Sequence, residues 1–340
     1  MRKLLNTLYI TTPESYLSKD GENIVVAVKQ KEVFRIPALN IASIVTFGYM
    51  GASPGLMKLC VEHGIALTFL TPHGRYIGRL QGPTRGNVLL RKAQYALADD
   101  DNVATEITRL LIAAKVHNYY CILQRYQRDY GQVEEIASAA REMRLRRRVI
   151  LAAQTRQQIR GLEGDATSLY FSVMPHLIIQ RRQDFPFNGR NRRPPKDAVN
   201  AMLSLAYTLL TNDITSALET VGLDPYVGFF HTLRPGRASL ALDMVEELRA
   251  YLGDRFVLSL INRKQITPGV FLYQGQQGVV LTEKGRKTFL AAWQQRKKET
   301  ITHPFLQEKI PIGLIPHAQA LLMARCVRGD LDTYPVFLLK

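Results

Sequence analysis

The spacing of apolar residues changes once along this 340-residue chain, near Gln81, and that change restricts the available folds more than any other feature. Before it lie short runs rich in β-branched and aromatic residues: TLYI, SYLS, NIVVAV, VFRI, SIVTF, ALTFL and RYIGRL. Their length and composition predict strands. Asp20-Gly21 sits between two of them and predicts a tight hairpin, because Gly supplies the positive φ such a turn demands. One helix is expected among the strands, from Ser53 to about His63, with Ser53 as N-cap, Pro54 at the first helical position and Gly64 past the end. After QGPTRG (81–86) the pattern is helical over Lys92 to Tyr130, Val133 to about Ile179, and Val199 to Leu218. The reading is α+β: a small, mainly β N-terminal domain (1–84) followed by a larger all-α domain (85–340). Two domains also suit a length above the roughly 250 to 300 residues at which single cores stop growing.

Charge narrows the partners. Forty-five basic against 29 acidic residues leave a formal net charge of +16, which favours a polyanion, with nucleic acid ahead of an anionic membrane surface. No apolar span of about 20 residues is present, so no membrane partner is expected. The three cysteines, Cys60, Cys121 and Cys326, are far apart and form no metal-type pair. With no signal-peptide pattern at the N-terminus, the expected location is cytoplasmic.

Two segments invite a chemical reading. RRQDFPFNGRNRRPPKD (181–197) is long for a helix connection and interleaves Arg181, Arg182, Arg190, Arg192, Arg193 and Lys196 with Phe185 and Phe187. It offers guanidinium groups for phosphates and rings for base stacking, or else it is a solvated loop. GFFHTLRPGRASLALDMVEELRAYLGD (228–254) ends in a helix expected near Ser239 to Leu252. A helical wheel puts Met244, Val245, Leu248, Tyr251 and Leu252 on one side and Asp243, Glu246, Glu247 and Ala250 on the other. His231, 12 residues before Asp243, could fold back over the acids, and an imidazole with carboxylates suits Mg²⁺ or Mn²⁺. Glu163, bracketed by Gly161 and Gly164, is a third candidate, with Thr167 and Tyr170 on its helical face. Two glycines in a helix hint at close approach by a backbone or a ligand. Taken alone, each segment also fits an ordinary amphipathic helix or helix junction.

At these residues the chain resembles a known family. EGDAT at Glu163, RRPPKDAVNAMLSLAYTLL from Arg192, GLDPYVGFFHT ending at Thr232 and SLALDMVEELR from Ser239 look like the CRISPR-associated integrase family, the first-numbered, near-universal Cas protein of spacer acquisition. LTEKGRKTFLAAWQQRKKE and RGDLDTYPVF extend the likeness over essentially the whole chain, with a texture similar to the type I-C branch. The resemblance implies a β domain that dimerises and a helical catalytic domain. It implies a metal, Mg²⁺ or Mn²⁺, on Glu163, His231 and Glu246, with Asp243 as the neighbouring acid and the division between the two acids open. It also implies a homodimer, double-stranded DNA substrates (prespacer and CRISPR repeat), a dimer of the second-numbered Cas protein, and in type I-C systems a nuclease of the fourth-numbered Cas family. The implied reaction joins 3′-hydroxyl ends of captured DNA to the repeat by metal-dependent transesterification, with associated endonuclease activity.

Arg192, Arg193, Lys196, Arg234 and Arg237 are the candidate DNA contacts by type and location, and Arg144 to Arg148 with Arg296 to Lys298 would extend the track. Two other classes use the same features. A metal-dependent structure-selective nuclease puts water where the integrase puts a 3′-hydroxyl, and a non-catalytic DNA-binding scaffold has no use for the acids and the histidine.

Overall fold

A hairpin opens the fold. In the computed structural model, which describes residues 6–48, 50–72, 74, 76–83, 88–180 and 182–340, the strands β1 (Asn6–Ile10), β2 (Ser15–Asp20) and β3 (Asn23–Val28) appear first. Gly21 turns between β2 and β3 at φ 55°. β4 (Lys31–Pro37), β5 (Ile41–Phe47), β6 (Gly51–Ala52), α1 (Pro54–His63), β7 (Ala66–Leu70) and β8 (Tyr76–Leu80) follow. Ser53 caps α1 by accepting from the Leu56 N–H at 3.2 Å, and Gly64 ends it in the left-handed conformation at φ 66°. The predicted boundary between Thr84 and Arg85, and Arg181 of the basic loop, lie outside the described residues.

These strands form two four-stranded sheets, in the orders β1-β5-β7-β8 and β4-β3-β2-β6. Side chains alternate across a strand, so the first sheet serves two cores. Ile44 and its partner Leu67 face Leu17, Ile24, Leu56 and Leu59 of the N-terminal core, while Val45 and the pair Phe47 and Leu70 belong to the helical core. Burial on both faces explains why SIVTF reads as a continuous apolar run. Gln294 Nε2 donates to the Thr7 carbonyl at 2.6 Å, and Thr68 Oγ1 to Asn212 Oδ1 at 2.9 Å, tying sheet to helices.

The larger part comprises α2 (Val88–Asp99), α3 (Asp101–Tyr130), α4 (Glu134–Ala152), α5 (Arg156–Leu177), α6 (Ala198–Val221), α7 (Ser239–Leu248), α8 (Arg255–Asn262), α9 (Glu283–Lys298) and α10 (Ile315–Val327). The first two long helical stretches are each divided by a cap. Asp100 accepts from the N–H groups of Asn102 and Val103, starting α3, and Thr155 with Gln158 forms a capping box that starts α5. Two small ribbons, β9 (Phe271–Tyr273) with β10 (Val279–Leu281) and β11 (Thr300–Thr302) with β12 (Lys309–Pro311), interrupt the all-α expectation. Strands of three residues are too short to leave a period in the sequence. The first ribbon supports the basic loop, with the Val279 N–H donating to the Pro195 carbonyl at 2.8 Å.

The acidic helix departs most from its expected form. α7 ends at Leu248, and a π-helical turn, Arg249–Asp254, leads into α8. Asp243, Glu246 and Glu247 are buried rather than solvated, because α3 and α6 pack against α7 and the C-terminal segment covers what remains. Tyr334 Oη, the Phe337 N–H and Gln319 Nε2 all donate to the Glu247 carboxylate. Asn118 of α3 clamps the same segment, donating to the Phe337 carbonyl at 2.9 Å and accepting from the Leu339 N–H at 2.9 Å.

Candidate active site

α5 carries an acid and two anchors on one face. Glu163 is half-buried, and Thr167, one turn on, donates to its Oε1 at 2.9 Å. Toward the start of the helix, Arg156 Nη1 donates to the Phe229 carbonyl at 3.2 Å and Arg160 Nη2 to the Phe230 carbonyl at 3.0 Å. The helix that presents Glu163 therefore also holds the loop that presents His231. A Cβ added at Gly161 or Gly164 would meet nothing within 4 Å, so no protein backbone makes the close approach the two glycines suggested. They leave open space on either side of Glu163.

The loop before α7 is organised by Asp243. Its Oδ2 accepts from the N–H groups of Phe229 (2.7 Å) and Phe230 (2.9 Å), and its Oδ1 from the His231 N–H (2.9 Å) and His231 Nδ1 (2.7 Å). Four donors fill a fully buried carboxylate, so Asp243 is committed to the loop and has no lone pair directed at a ligand. A carboxylate only accepts, so His231 Nδ1 carries a proton, and in the singly protonated ring the lone pair is on Nε2. Gly228 makes this approach feasible: a Cβ there would stand 2.5 Å from Asp243 Oδ2 and 2.7 Å from the Leu240 backbone nitrogen.

Glu246, one turn beyond Asp243, is paired with cations. Arg249 Nη1 donates to both of its oxygens, at 3.1 and 2.9 Å, and Lys115 Nζ stands 2.6 Å from its Oε2. The same ammonium donates to Glu163 Oε1, so one buried cation bridges the two acids. Burial pushes the Glu246 carboxyl up, but Arg249 and Lys115 outweigh it and bring the pKa down to about 2, with the His231 charge acting in the same direction. Arg249 is seated over the Tyr207 ring, 4.5 Å from its centroid.

A basic rim adjoins the histidine. Arg192 and Arg234 are exposed and Arg237 half-exposed. Burial and then the charge of Arg234 lower the Arg237 pKa from its ordinary value; Asp243 opposes them, and Arg160 and Arg192 add to the lowering. These four arginines thus share one field. Arg193 and Lys196 are exposed on the same loop as Arg192. Three expectations for the basic segments change. Phe185 and Phe187 are buried, packed against Phe271 and Phe171, so they anchor the loop and present no ring to a base. Arg190 turns inward, donating to Asn200 Oδ1 at 2.7 Å and Ser204 Oγ at 3.0 Å. Lys297, expected on the track, is buried against Asp213 at 2.9 Å.

The sequence reading missed Lys115. A signal for Lys115 existed: in LLIAAKVHNYY it falls on the same helical face as Leu111, Ile112 and Tyr119, all buried, and a lysine at a core position needs an anion. Among the described residues, no three His, Cys, Asp or Glu side chains stand placed to hold a metal ion together. The donor chemistry does suit a hard divalent cation, with two carboxylates close enough to share one ammonium and an imidazole whose Nε2 is directed by its Nδ1 bond. The position between the carboxylates is the one Lys115 occupies.

Residues 8–295 match the family described as CRISPR associated protein Cas1. The chain is 47% identical over 340 residues to a CRISPR-associated endonuclease Cas1 of Chlorobaculum tepidum, covering 99% of each protein. It is 48% identical over 347 residues to one of Rhodospirillum rubrum, covering 100% of each. In fold it is similar to a Cas1 protein from Thermotoga maritima, with a TM-score of 0.82 at 21% identity over 98% of this chain and 100% of that one. A casposase bound to integration product gives a TM-score of 0.83 at 19% identity, covering 97% of this chain and 92% of that one.

Proposed function

The chain belongs to the Cas1 family of CRISPR-associated proteins, and from that premise we propose that it is the integrase of spacer acquisition in a type I-C-like system. It joins the 3′-hydroxyl ends of a captured DNA to the CRISPR repeat. The observation that carries this reading is the acid pair: α5 and α7 bring Glu163 and Glu246 to one cation, beside an imidazole aimed by Asp243 and a rim of arginines.

In the proposed reaction the prespacer 3′-oxygen forms a bond to a repeat phosphorus, and the bond from that phosphorus to the repeat 3′-oxygen breaks, leaving a 3′-hydroxyl. Glu163, Glu246 and His231 Nε2 would hold a Mg²⁺ or Mn²⁺ ion, which when bound withdraws charge from phosphate oxygens and favours ionisation of the attacking hydroxyl. Arg192, Arg234 and Arg237, with Arg193 and Lys196 on the adjoining loop, bind the duplex backbone and set its position, carrying no sequence information. Asp243 keeps the His231 ring oriented through the reaction, and its bonds to three successive N–H groups keep the loop from moving away from α7. Arg249 fixes Glu246 in the rotamer that faces Glu163.

A homodimer through the N-terminal β region is part of the proposal. β4 is the edge strand of its sheet, and Val33, Phe34 and nearby Leu39 are exposed there, an apolar edge that a second copy would cover. A Cas6-RT-Cas1–Cas2 complex shares this fold (TM-score 0.83, 21% identity, 100% of this chain and 37% of that one), which supports Cas2 as a partner, proposed here as a dimer. A Cas4-family nuclease is the further partner proposed. No helix among the described residues is long and apolar enough to cross a membrane, and the proposed location is the cytoplasm.

The test is a strand-transfer assay on a repeat-bearing duplex, with Cas2, using 3′-hydroxyl and 3′-blocked oligonucleotides under Mg²⁺ and Mn²⁺. Joining should require the 3′-hydroxyl and should be lost in Glu163→Gln and His231→Ala while DNA affinity persists. Cleavage without joining, insensitive to the 3′ block, would favour a structure-selective nuclease. Wild-type joining by both variants would leave a DNA-binding scaffold with chemistry elsewhere.

A further inference from the structure

The cation at the centre of the acid pair belongs to the protein itself. Lys115 projects from α3 with a fully buried side chain, and its ammonium bonds Glu163 and Glu246 together. An isolated buried ammonium is costly, so the lysine is there only because two carboxylates face it. With Arg249 also on Glu246, the two acids and their two cations sum to zero, and the buried Asp254, in the field of Arg249, Lys115 and Arg190, adds one acid against one further arginine. The arginines beside the histidine, Arg160, Arg192, Arg234 and Arg237, outnumber the one acid in their field, Asp243.

We propose that Lys115 makes divalent-metal binding at the acid pair conditional on DNA. This rests on the metal reading given above. A divalent ion entering a neutral pocket rimmed by arginines gains little net attraction, and it must first take the carboxylate oxygens from the lysine. A DNA phosphodiester supplies the missing negative charge. It lies on the arginines, offers an oxygen to the metal and gives the displaced ammonium a new partner. Metal and DNA then bind with positive coupling, and linkage makes the coupling reciprocal. Of the two cations, Lys115 is the one free to give way. It reaches Glu246 through Oε2 alone on a single flexible stem, whereas Arg249 holds both Glu246 oxygens and stands over the Tyr207 ring, 4.5 Å from its centroid. Without Lys115 the pair would carry net negative charge and draw a metal unaided.

The experiment is a Mn²⁺ titration of the full-length protein, followed by the electron paramagnetic resonance signal of free Mn²⁺, with and without a repeat duplex. Glu163→Gln with the same duplex serves as the blank for ions held by DNA alone. Wild type should bind Mn²⁺ at least tenfold more tightly with DNA than without it. Lys115→Met should bind Mn²⁺ at least tenfold more tightly than wild type without DNA and should lose most of the DNA increment. Lys115→Arg keeps the charge and should keep the increment, and it stands in if the methionine variant does not fold. Equal Mn²⁺ affinity in wild type with and without DNA overturns the inference, as does a Lys115→Met protein that binds Mn²⁺ like wild type, or a Lys115→Arg protein that has lost the increment. If Glu163→Gln and Glu246→Gln bind Mn²⁺ as wild type does, the metal reading itself falls, an outcome distinct from the others. A merely structural lysine would alter stability and leave the DNA dependence of metal affinity unchanged.

Discussion

Replacing Asp243 by Asn changes one atom and should alter both the stability of the loop and the chemistry of His231. Asp243 accepts four hydrogen bonds, two on each oxygen, three of them from the successive N–H groups of Phe229, Phe230 and His231. An asparagine keeps one acceptor oxygen, so two donors must face an NH₂ group. The favourable orientation leaves the oxygen on Phe229 and Phe230, because turning it the other way would strand two buried backbone donors. The NH₂ group then points at the His231 N–H and Nδ1. The backbone donor is orphaned, at roughly 1 to 3 kcal/mol, and the remaining bonds lose charge assistance. A net loss of about 2 to 4 kcal/mol is expected in urea unfolding. The imidazole can relieve its part of the conflict by moving its proton to Nε2, so that Nδ1 accepts from the new amide. That tautomer removes the lone pair from Nε2, the nitrogen the proposed metal would need, and strand transfer should fall by at least tenfold while DNA affinity is kept. Long-range proton–nitrogen correlation spectra of the histidine rings report the tautomer directly. A variant within 0.5 kcal/mol of wild type whose His231 proton stays on Nδ1 would refute the reasoning. His231→Ala is the contrast: it leaves Asp243 its three backbone donors, so it should abolish joining with little loss of stability.

Gly228→Ala should destabilise by about 1 to 3 kcal/mol in calorimetry, because the new Cβ would meet Asp243 Oδ2 at 2.5 Å and backbone atoms of Ser239 and Leu240 at 2.7 Å, which cannot swing aside. Burial raises the Glu247 pKa from 4.5 to about 7, against the opposing bonds from Tyr334, Phe337 and Gln319. A raised acid pKa means the folded protein holds the proton more tightly, so this contribution to stability is complete below pH 4.5 and is lost as pH rises through 7, by roughly 3 kcal/mol. Asp254, raised to about 6, acts in the same sense, so Glu247→Gln should flatten the stability profile over this window without levelling it; an unchanged slope in denaturation from pH 4.5 to 7 would count against the assignment. Arg192→Ala with Arg193→Ala should weaken DNA binding and flatten the slope of log affinity against log salt by about 0.9 for each phosphate that the variant no longer neutralises. Phe185→Ala should instead cost about 3 to 5 kcal/mol of stability and leave that slope alone, since the ring is core.

The elements that depend on neighbours in sequence were legible. Asp20-Gly21 specifies its hairpin, Ser53-Pro54 starts α1, and the change of period near Gln81 separates strands from long helices. The residues that resemble the Cas1 family also lead to Glu163, His231, Asp243 and Glu246 as the side chains to inspect. Which way those side chains face was not legible. A helical wheel sorts residues by face but cannot say whether the polar face meets water, and in α7 it meets α3, α6 and the C-terminal segment, so all three acids are buried. The same limit applies to Phe185 and Phe187, whose basic neighbours suggest an exposed binding loop while their rings fill the core. Asp243 and Glu246 have nearly the same local setting, yet one closes a loop from 12 to 14 residues upstream and the other pairs with a lysine on α3. Lys115 is the clearest case, since its carboxylate partners come from two other helices. Backbone periodicity is a local property, whereas the pairing of buried charges is decided by whichever segments the packed core brings within a few ångströms.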